Sequence, residues 1–144
     1  MSDWMRWSLP VAALKMEAQA QKAAFPTATS FVDYDGRSWK AMAGGQLLGL
    51  VVLDHVIGKH LYIDYTVALD TSGRVKKIDI LTYRESYGGE VRESGWLGQF
   101  VGKGNGSALN VGGDIRNISG ATLSSLHVTE GVKRVLATYG GKGR

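Results

Sequence analysis

The chain contains no cysteine. That excludes a disulfide scaffold, a thiolate-bound zinc or iron–sulfur centre, and a cysteine nucleophile. Proline is scarce, with Pro10 and Pro26 the only two in 144 residues. Histidine is also scarce: His55, His60 and His127 leave little room for a histidine-rich metal site. No apolar run approaches the ~18 residues of a membrane-spanning helix. The longest, Leu47 to Leu53, stops at Asp54. Excess charge is small, a net +4 from 17 basic and 13 acidic residues. The basic residues are scattered instead of lining one face, so nucleic acid is not an expected partner. The start of the chain carries only a short apolar patch, Leu9 to Leu14, without the long apolar centre and cleavage site of a secretory signal.

What is present fits a globular domain. Hydrophobic residues make up 44% and charged residues 21%, and the length suits one core. Glycine is over-represented at 20 residues, which points to turns, bulges and close backbone approach. Residues 1–30 read as an N-terminal helical segment and 31–144 as the main domain. Pro10 to Ala24 predicts a helix, with Pro10 in its first turn and Phe25-Pro26 ending it. Phe31 to Trp39 has no clear pattern beyond an Asp35-Gly36 turn, and Trp39 reads as core.

Three strand-like runs follow: Gln46 to Val56, His60 to Leu69 and Arg74 to Arg84. The second alternates Leu61, Ile63, Tyr65, Val67 and Leu69 on one face. Asp70-Thr71-Ser72-Gly73 is a hairpin signal that makes the second and third runs antiparallel. In the third, Ile78, Ile80 and Thr82 share one face, and Leu81 and Tyr83 the other. Glu85 to Gly113 then holds nine glycines, with a short helix expected at Gly98 to Lys103. The last helix is expected from Ser124 to Tyr139, burying Val128, Val132, Val135 and Leu136, with Gly140-Gly141 ending it. Antiparallel strands flanked by helices give an α+β class.

The chemistry-bearing stretch is 114–125, rich in hydroxyls (Ser119, Thr122, Ser124, Ser125) around Gly120 and Ala121. Opening a helix, it offers unpaired amides and the positive end of the macrodipole, a ready phosphate site. The same residues also suit an ordinary N-cap by Thr122 or Ser124. Glu85, Glu90 and Glu93 sit in a glycine-rich setting that does not suit paired-carboxylate hydrolysis. Gly102 to Ser107 lacks the spacing of a phosphate loop. His127 reads as a surface or half-buried histidine.

Ser119-Gly120-Ala121-Thr122 resembles the Ser/Thr-Gly-Ala-Thr motif of the FMN-binding domain family. That family includes the covalent-FMN components of the sodium-pumping NADH:quinone reductase and of the Rnf complexes. Glu93-Ser94-Gly95-Trp96-Leu97-Gly98 resembles the family's flavin-side loop, and Gly58-Lys59-His60 stands at its glycine-rich turn. Arg116 occupies a position where the family often has an acid, and Gly95 and Trp96 replace proline and glycine.

The resemblance covers roughly residues 45 to 139 and implies FMN held by a phosphoester bond to Thr122, installed by a flavin transferase. It further implies a contact surface from Ser119, Gly120, Ala121, Ser124, Glu93, Trp96, Leu97, Gly98, His60 and Leu61, with Arg116 or Lys103 balancing the phosphate charge. The implied protein is an electron carrier with no catalytic residues or metal of its own, working outside the cytoplasm. Its partner would be a redox protein or a membrane electron-transfer complex. A module holding FMN or another phosphate ligand without a covalent bond, or an interaction domain without cofactor, are the alternatives.

Overall fold

Alternating apolar residues and tight turns build one antiparallel sheet in the computed structural model, which describes residues 11–83 and 93–141. Its strands are β1 (Ser30–Asp33), β2 (Ser38–Ala43), β3 (Gln46–Ile57), β4 (Tyr62–Asp70) and β5 (Val75–Tyr83), in sequence order across the sheet. The α+β expectation is met, with two more strands than the three legible runs. The segment from Phe31 to Trp39 forms the β1–β2 hairpin. A two-residue Gly44-Gly45 loop, with φ of +57° and +86°, joins β2 to β3. Positive φ at both positions is what a type I′ hairpin demands, and glycine adopts it without strain. At the β4–β5 turn, Asp70 Oδ1 accepts from the amides of Ser72 and Arg74 and from the Ser72 hydroxyl.

Helix α1 (Val11–Ala24) covers one face of the sheet, where Ala20 packs with Trp39, Leu53 and Leu81. A second cluster joins Ala24, Phe25 and Ala28 to Ala41, Val51 and Ala68. Trp39 is buried, as expected. The opposite face carries the main core. There Val52, Ile63, Tyr65, Val67 and Leu69 meet Val128, Val132, Val135 and Leu136 of helix α3 (Thr122–Tyr139). Each such aliphatic side chain contributes roughly 1.5–3 kcal/mol by burial. The glycine-rich segment between β5 and α3 adds Trp96, Leu97, Phe100, Leu109, Ile115 and Ile118 to the same core. Residues Arg84, Glu85 and Glu90 lie outside the described residues.

Strict alternation fails in β5. Thr82 pairs with Asp64 and Ile80 with Tyr65, leaving Leu81 as an extra residue, a β-bulge. Thr82 therefore leaves the face of Ile78 and Ile80 and donates its hydroxyl to Asp64. Tyr83 turns instead onto the main-core face.

The short helix begins earlier than expected. It is α2 (Ser94–Leu97), continued by a 3₁₀ turn over Gly98–Phe100. The Glu93 carbonyl accepts from the amides of Trp96 and Leu97, which nucleates it there. Val101, extended at φ −60° and ψ 131°, ends it before Lys103. Helix α3 likewise begins two residues earlier than Ser124, at Thr122.

A buried polar group sits within the main core. Asp54 accepts from the Tyr65 hydroxyl at 2.7 Å, Arg37 at 3.0 Å and Arg134 at 3.5 Å. Burial, and then the neighbouring Asp54 charge, push the Tyr65 hydroxyl well above its usual value, so it stays a donor. Helix α3 crosses this group at Gly131. A Cβ there would lie 2.2 Å from the Tyr65 hydroxyl and 2.7 Å from Val56 Cγ1. Gly131→Ala gains about 1 kcal/mol of helix propensity and incurs overpacking of about 1–3 kcal/mol. With both neighbours buried, the upper end of that range governs, and a net loss of about 2 kcal/mol is expected in urea unfolding. Adding Tyr65→Phe removes the closest clash, so the two changes should be non-additive.

Candidate functional site

The motif turn is set by Gly120. The Ala121 amide donates to the Ile118 carbonyl at 2.9 Å, closing a turn in which Gly120 has φ +81°. A left-handed residue at that position of a type II turn calls for glycine. Ala121 follows as the N-cap of α3, at φ −137° and ψ 40°, with no side-chain cap hydrogen bond. Neither Thr122 nor Ser124 caps the helix, so the capping alternative falls. The N-cap residue thus offers the first-turn amides no side-chain acceptor, and no acidic residue lies in that turn.

Thr122 is the first helical residue and its side chain is exposed. Its Oγ1 accepts from Asn117 Nδ2 at 3.2 Å. Ser119 and Gly120 are exposed as well, and no atom lies within 4 Å of where a Gly120 Cβ would be. Ser125 holds the turn from below. Its buried hydroxyl donates to the Ala121 carbonyl at 3.0 Å and accepts from the Ile118 amide at 3.3 Å.

Two further segments converge on this turn. The loop of Glu93 to Gly98 is tied to it through Arg116. Trp96 Nε1 donates to the Arg116 carbonyl at 2.7 Å, the Arg116 amide donates to Gln99 Oε1 at 2.8 Å, and the Arg116 guanidinium reaches the Gly95 carbonyl at 3.1 Å. Gly95 and Gly98 are exposed, with open space where a Cβ would stand. The turn between β3 and β4 is held to α3 by His127, whose Nδ1 lies 2.7 Å from the Ile57 carbonyl and 3.1 Å from that of Gly58. Both partners are acceptors, so Nδ1 carries the proton. Leu123 lies one helical turn before His127 on the same face of α3. Leu61 and Leu123 are 44% and 45% exposed, a large apolar exposure at this end of the sheet.

Not every expected contact residue reaches this surface. Trp96 and Leu97 are buried in the main core, where Trp96 meets Phe100 edge-to-face, so their side chains support the loop from beneath. Ser124 is buried, its hydroxyl 3.3 Å from that of Tyr83. Glu93 shapes the loop through its backbone carbonyl, with the residue itself exposed. His60 and Leu61 are exposed on the β3–β4 turn. Lys103 pairs with Asp114 at 3.5 Å, whereas the Arg116 guanidinium sits at the loop on the Gly95 carbonyl.

Asp114 organises the approach to the motif. Its carboxylate accepts from the Asn110 amide at 2.7 Å and the Leu109 amide at 3.0 Å. The Asn110 and Leu109 amides hold this carboxyl below its ordinary value of 3.8. A carboxyl depressed by folding contributes stability that is complete above that ordinary value and lost as pH falls through the lower folded value. Melting temperature is therefore expected to decline below pH 3.8, and Asp114→Asn to flatten part of that decline.

A cavity of about 760 Å³ lies elsewhere, lined by Tyr34, Asp35, Leu50, Asp70 and Tyr139. It adjoins the C-terminal end of α3, about 27 Å of helix from Thr122. At the motif end, Ser119, Gly120 and Thr122 are exposed. Among the described residues no group of histidine and carboxylate side chains could hold a metal. No helix among them is long and apolar enough to cross a membrane.

An open antiparallel sheet with a Ser-Gly-Ala-Thr turn opening a helix defines a domain whose helix start can receive a phosphate-bearing ligand. The model of the FMN-binding domain matches residues 58–137, and the chain belongs to that family. Its cofactor is FMN. The crystal structure of Shewanella oneidensis NqrC has a similar fold, with a TM-score of 0.52 and 18% identity. The likeness covers 82% of this chain and 68% of that one. Among curated proteins, none matches the sequence.

The residues suit the cofactor. An uncapped helix start and an open glycine turn fit its phosphate, and exposed glycines with Leu61 and Leu123 fit a flat ring. Sequence reasoning named Ser125 among the hydroxyls of the stretch but did not single out Asn117, Tyr83 or His127 as parts of this site. Asn117 and Ser125 lie inside the hydroxyl-rich stretch, and Ser125 stands four residues after the N-cap, the spacing for a back-bond to its carbonyl. Tyr83 depends on the bulge at Leu81, which no local signal marks.

Proposed function

We propose that this chain is an electron-transfer domain carrying FMN through a phosphoester bond to Thr122 Oγ1. One observation carries the reading: an exposed hydroxyl on the first residue of α3, directly after the Gly120 turn and an N-cap without a side-chain acceptor. A phosphate on that oxygen would face the first-turn amides and the positive end of an 18-residue helix. Gly120 and Ala121 leave room for it, and the Arg116 guanidinium beside Gly95 supplies a compensating charge. Gly95, Gly98, Leu61 and Leu123 offer the surface for the ring, with His60 on the neighbouring turn. When bound, FMN supplies one- and two-electron redox chemistry, while the protein sets orientation and exposure.

An open surface leaves an edge of the cofactor accessible to a docked partner. Resemblance to the NADH:quinone reductase component supports a place in a membrane redox complex, outside the cytoplasm, after maturation by a flavin transferase. A covalent bond suits that location because it prevents cofactor loss where no flavin supply exists. The test is the intact mass of the full chain matured with a flavin transferase. The expected increment is that of FMN minus water, on the peptide containing Thr122. Yellow colour left in the supernatant after acid precipitation would establish noncovalent binding instead.

A further inference from the structure

The geometry points to Asn117 as the positioning residue that prepares the Thr122 hydroxyl for attachment. This rests on the reading of Thr122 as the FMN-bearing residue.

Asn117 is exposed but sits on a fixed stretch of chain. On one side, the Arg116 backbone is held at both its amide and its carbonyl, by Gln99 and Trp96. On the other, the buried Ile118 donates its amide to Ser125. Between these anchors the Asn117 side chain reaches across the turn, and its Nδ2 donates to Thr122 Oγ1 at 3.2 Å. The donor occupies one lone pair of the hydroxyl, so the hydroxyl proton is directed away from Asn117, toward whatever approaches from solvent.

The attachment step shows what this arrangement supplies. FMN alone has no good leaving group on phosphorus, so the donor is a flavin dinucleotide bound by the transferase. Thr122 Oγ1 forms the new bond to the flavin-side phosphorus as the pyrophosphate P–O bond breaks, and a nucleoside monophosphate leaves. The hydroxyl proton passes to a base of the transferase. Negative charge builds on Oγ1 as that proton departs, and a fixed N–H donor stabilises it there. In the product, the ester oxygen still accepts the same hydrogen bond, so nothing is broken on completion.

The experiment uses the full flavin-free chain, a flavin transferase and flavin adenine dinucleotide, with the attached fraction followed by intact mass at several chain concentrations. Asn117→Ala should lower kcat for attachment about tenfold, the scale of one lost hydrogen bond, with KM for the chain unchanged. Asn117→Asp keeps the shape but replaces the donor with an anion, so it should be at least as slow. Its thermal unfolding, expected to match that of the parent, separates this effect from misfolding. Attachment to Asn117→Asp at the parent rate, or a loss confined to KM, would overturn the assignment. Flavin on a Thr122→Ala chain, or none on the parent, would instead overturn the Thr122 reading beneath it.

Discussion

Co-expressed with a flavin transferase, Thr122→Ala is expected to emerge at the mass of its bare polypeptide, with no ultraviolet-fluorescent band on a denaturing gel. The change is all-or-none because the bond needs an oxygen at that position. Nearby hydroxyls do not replace it. Ser124 and Ser125 are buried, and the Ser125 hydroxyl is engaged on both sides by Ala121 and Ile118. Ser119 is exposed but lies before the Gly120 turn, off the helix start. Thr122→Ser keeps the nucleophile on the same residue and should retain the flavin. Stability should change little, because the Thr122 side chain is exposed and does not cap the helix. A fluorescent Thr122→Ala band would place the flavin on another residue.

The second large effect concerns the fold. Asp54→Ala removes the acceptor shared by Tyr65, Arg37 and Arg134. The Tyr65 hydroxyl then has no acceptor in a fully buried site. Arg37 loses the closer of the two ion pairs that Asp54 makes. Breaking a buried charged pair from one side costs about 3–5 kcal/mol. For a domain of this size that corresponds to a fall in melting temperature on the order of 10 °C or more. The more exposed Arg134 pair contributes little by itself. Arg134→Ala should therefore lie within about 1 kcal/mol of the parent, and near equality of the Arg134 and Asp54 variants in thermal unfolding would refute this account.

Much of this architecture is legible in the chain itself. The alternation from Leu61 to Leu69, the Asp70–Gly73 turn and the apolar stripe of the last helix are local signals, and the strands and helix form where they point. Phe31 to Trp39 is opaque because β1 is a four-residue edge strand with a burial pattern too weak to alternate. The starts of α2 and α3 are misplaced for a shared reason. The carbonyl of Glu93 and the backbone of Ala121 begin these helices, and side-chain capping signals do not report on backbone acceptors.

For the candidate site, the motif locates the turn that opens α3, and the hydrogen bonds of Arg116 and His127 tie two distant segments to that turn and to the helix it opens. The burial of Trp96 is not readable from sequence, since an aromatic in a glycine-rich loop can face either way. The role of Asn117 depends on a fold-dependent contact across a turn and has no pattern of its own.

The bulge at Leu81 ties these two parts of the molecule together. That single surplus residue swings Tyr83 toward the mouth of α3, where its hydroxyl meets Ser124 two residues beyond Thr122. The alignment of the outer strand with the start of α3 is thus a matter of counting. Paired in strict alternation beyond Ile80, without the bulge, the same residues would turn Thr82 onto the core face and Tyr83 away from it, and the helix entrance would lose its lateral brace while its own amino acids stayed untouched.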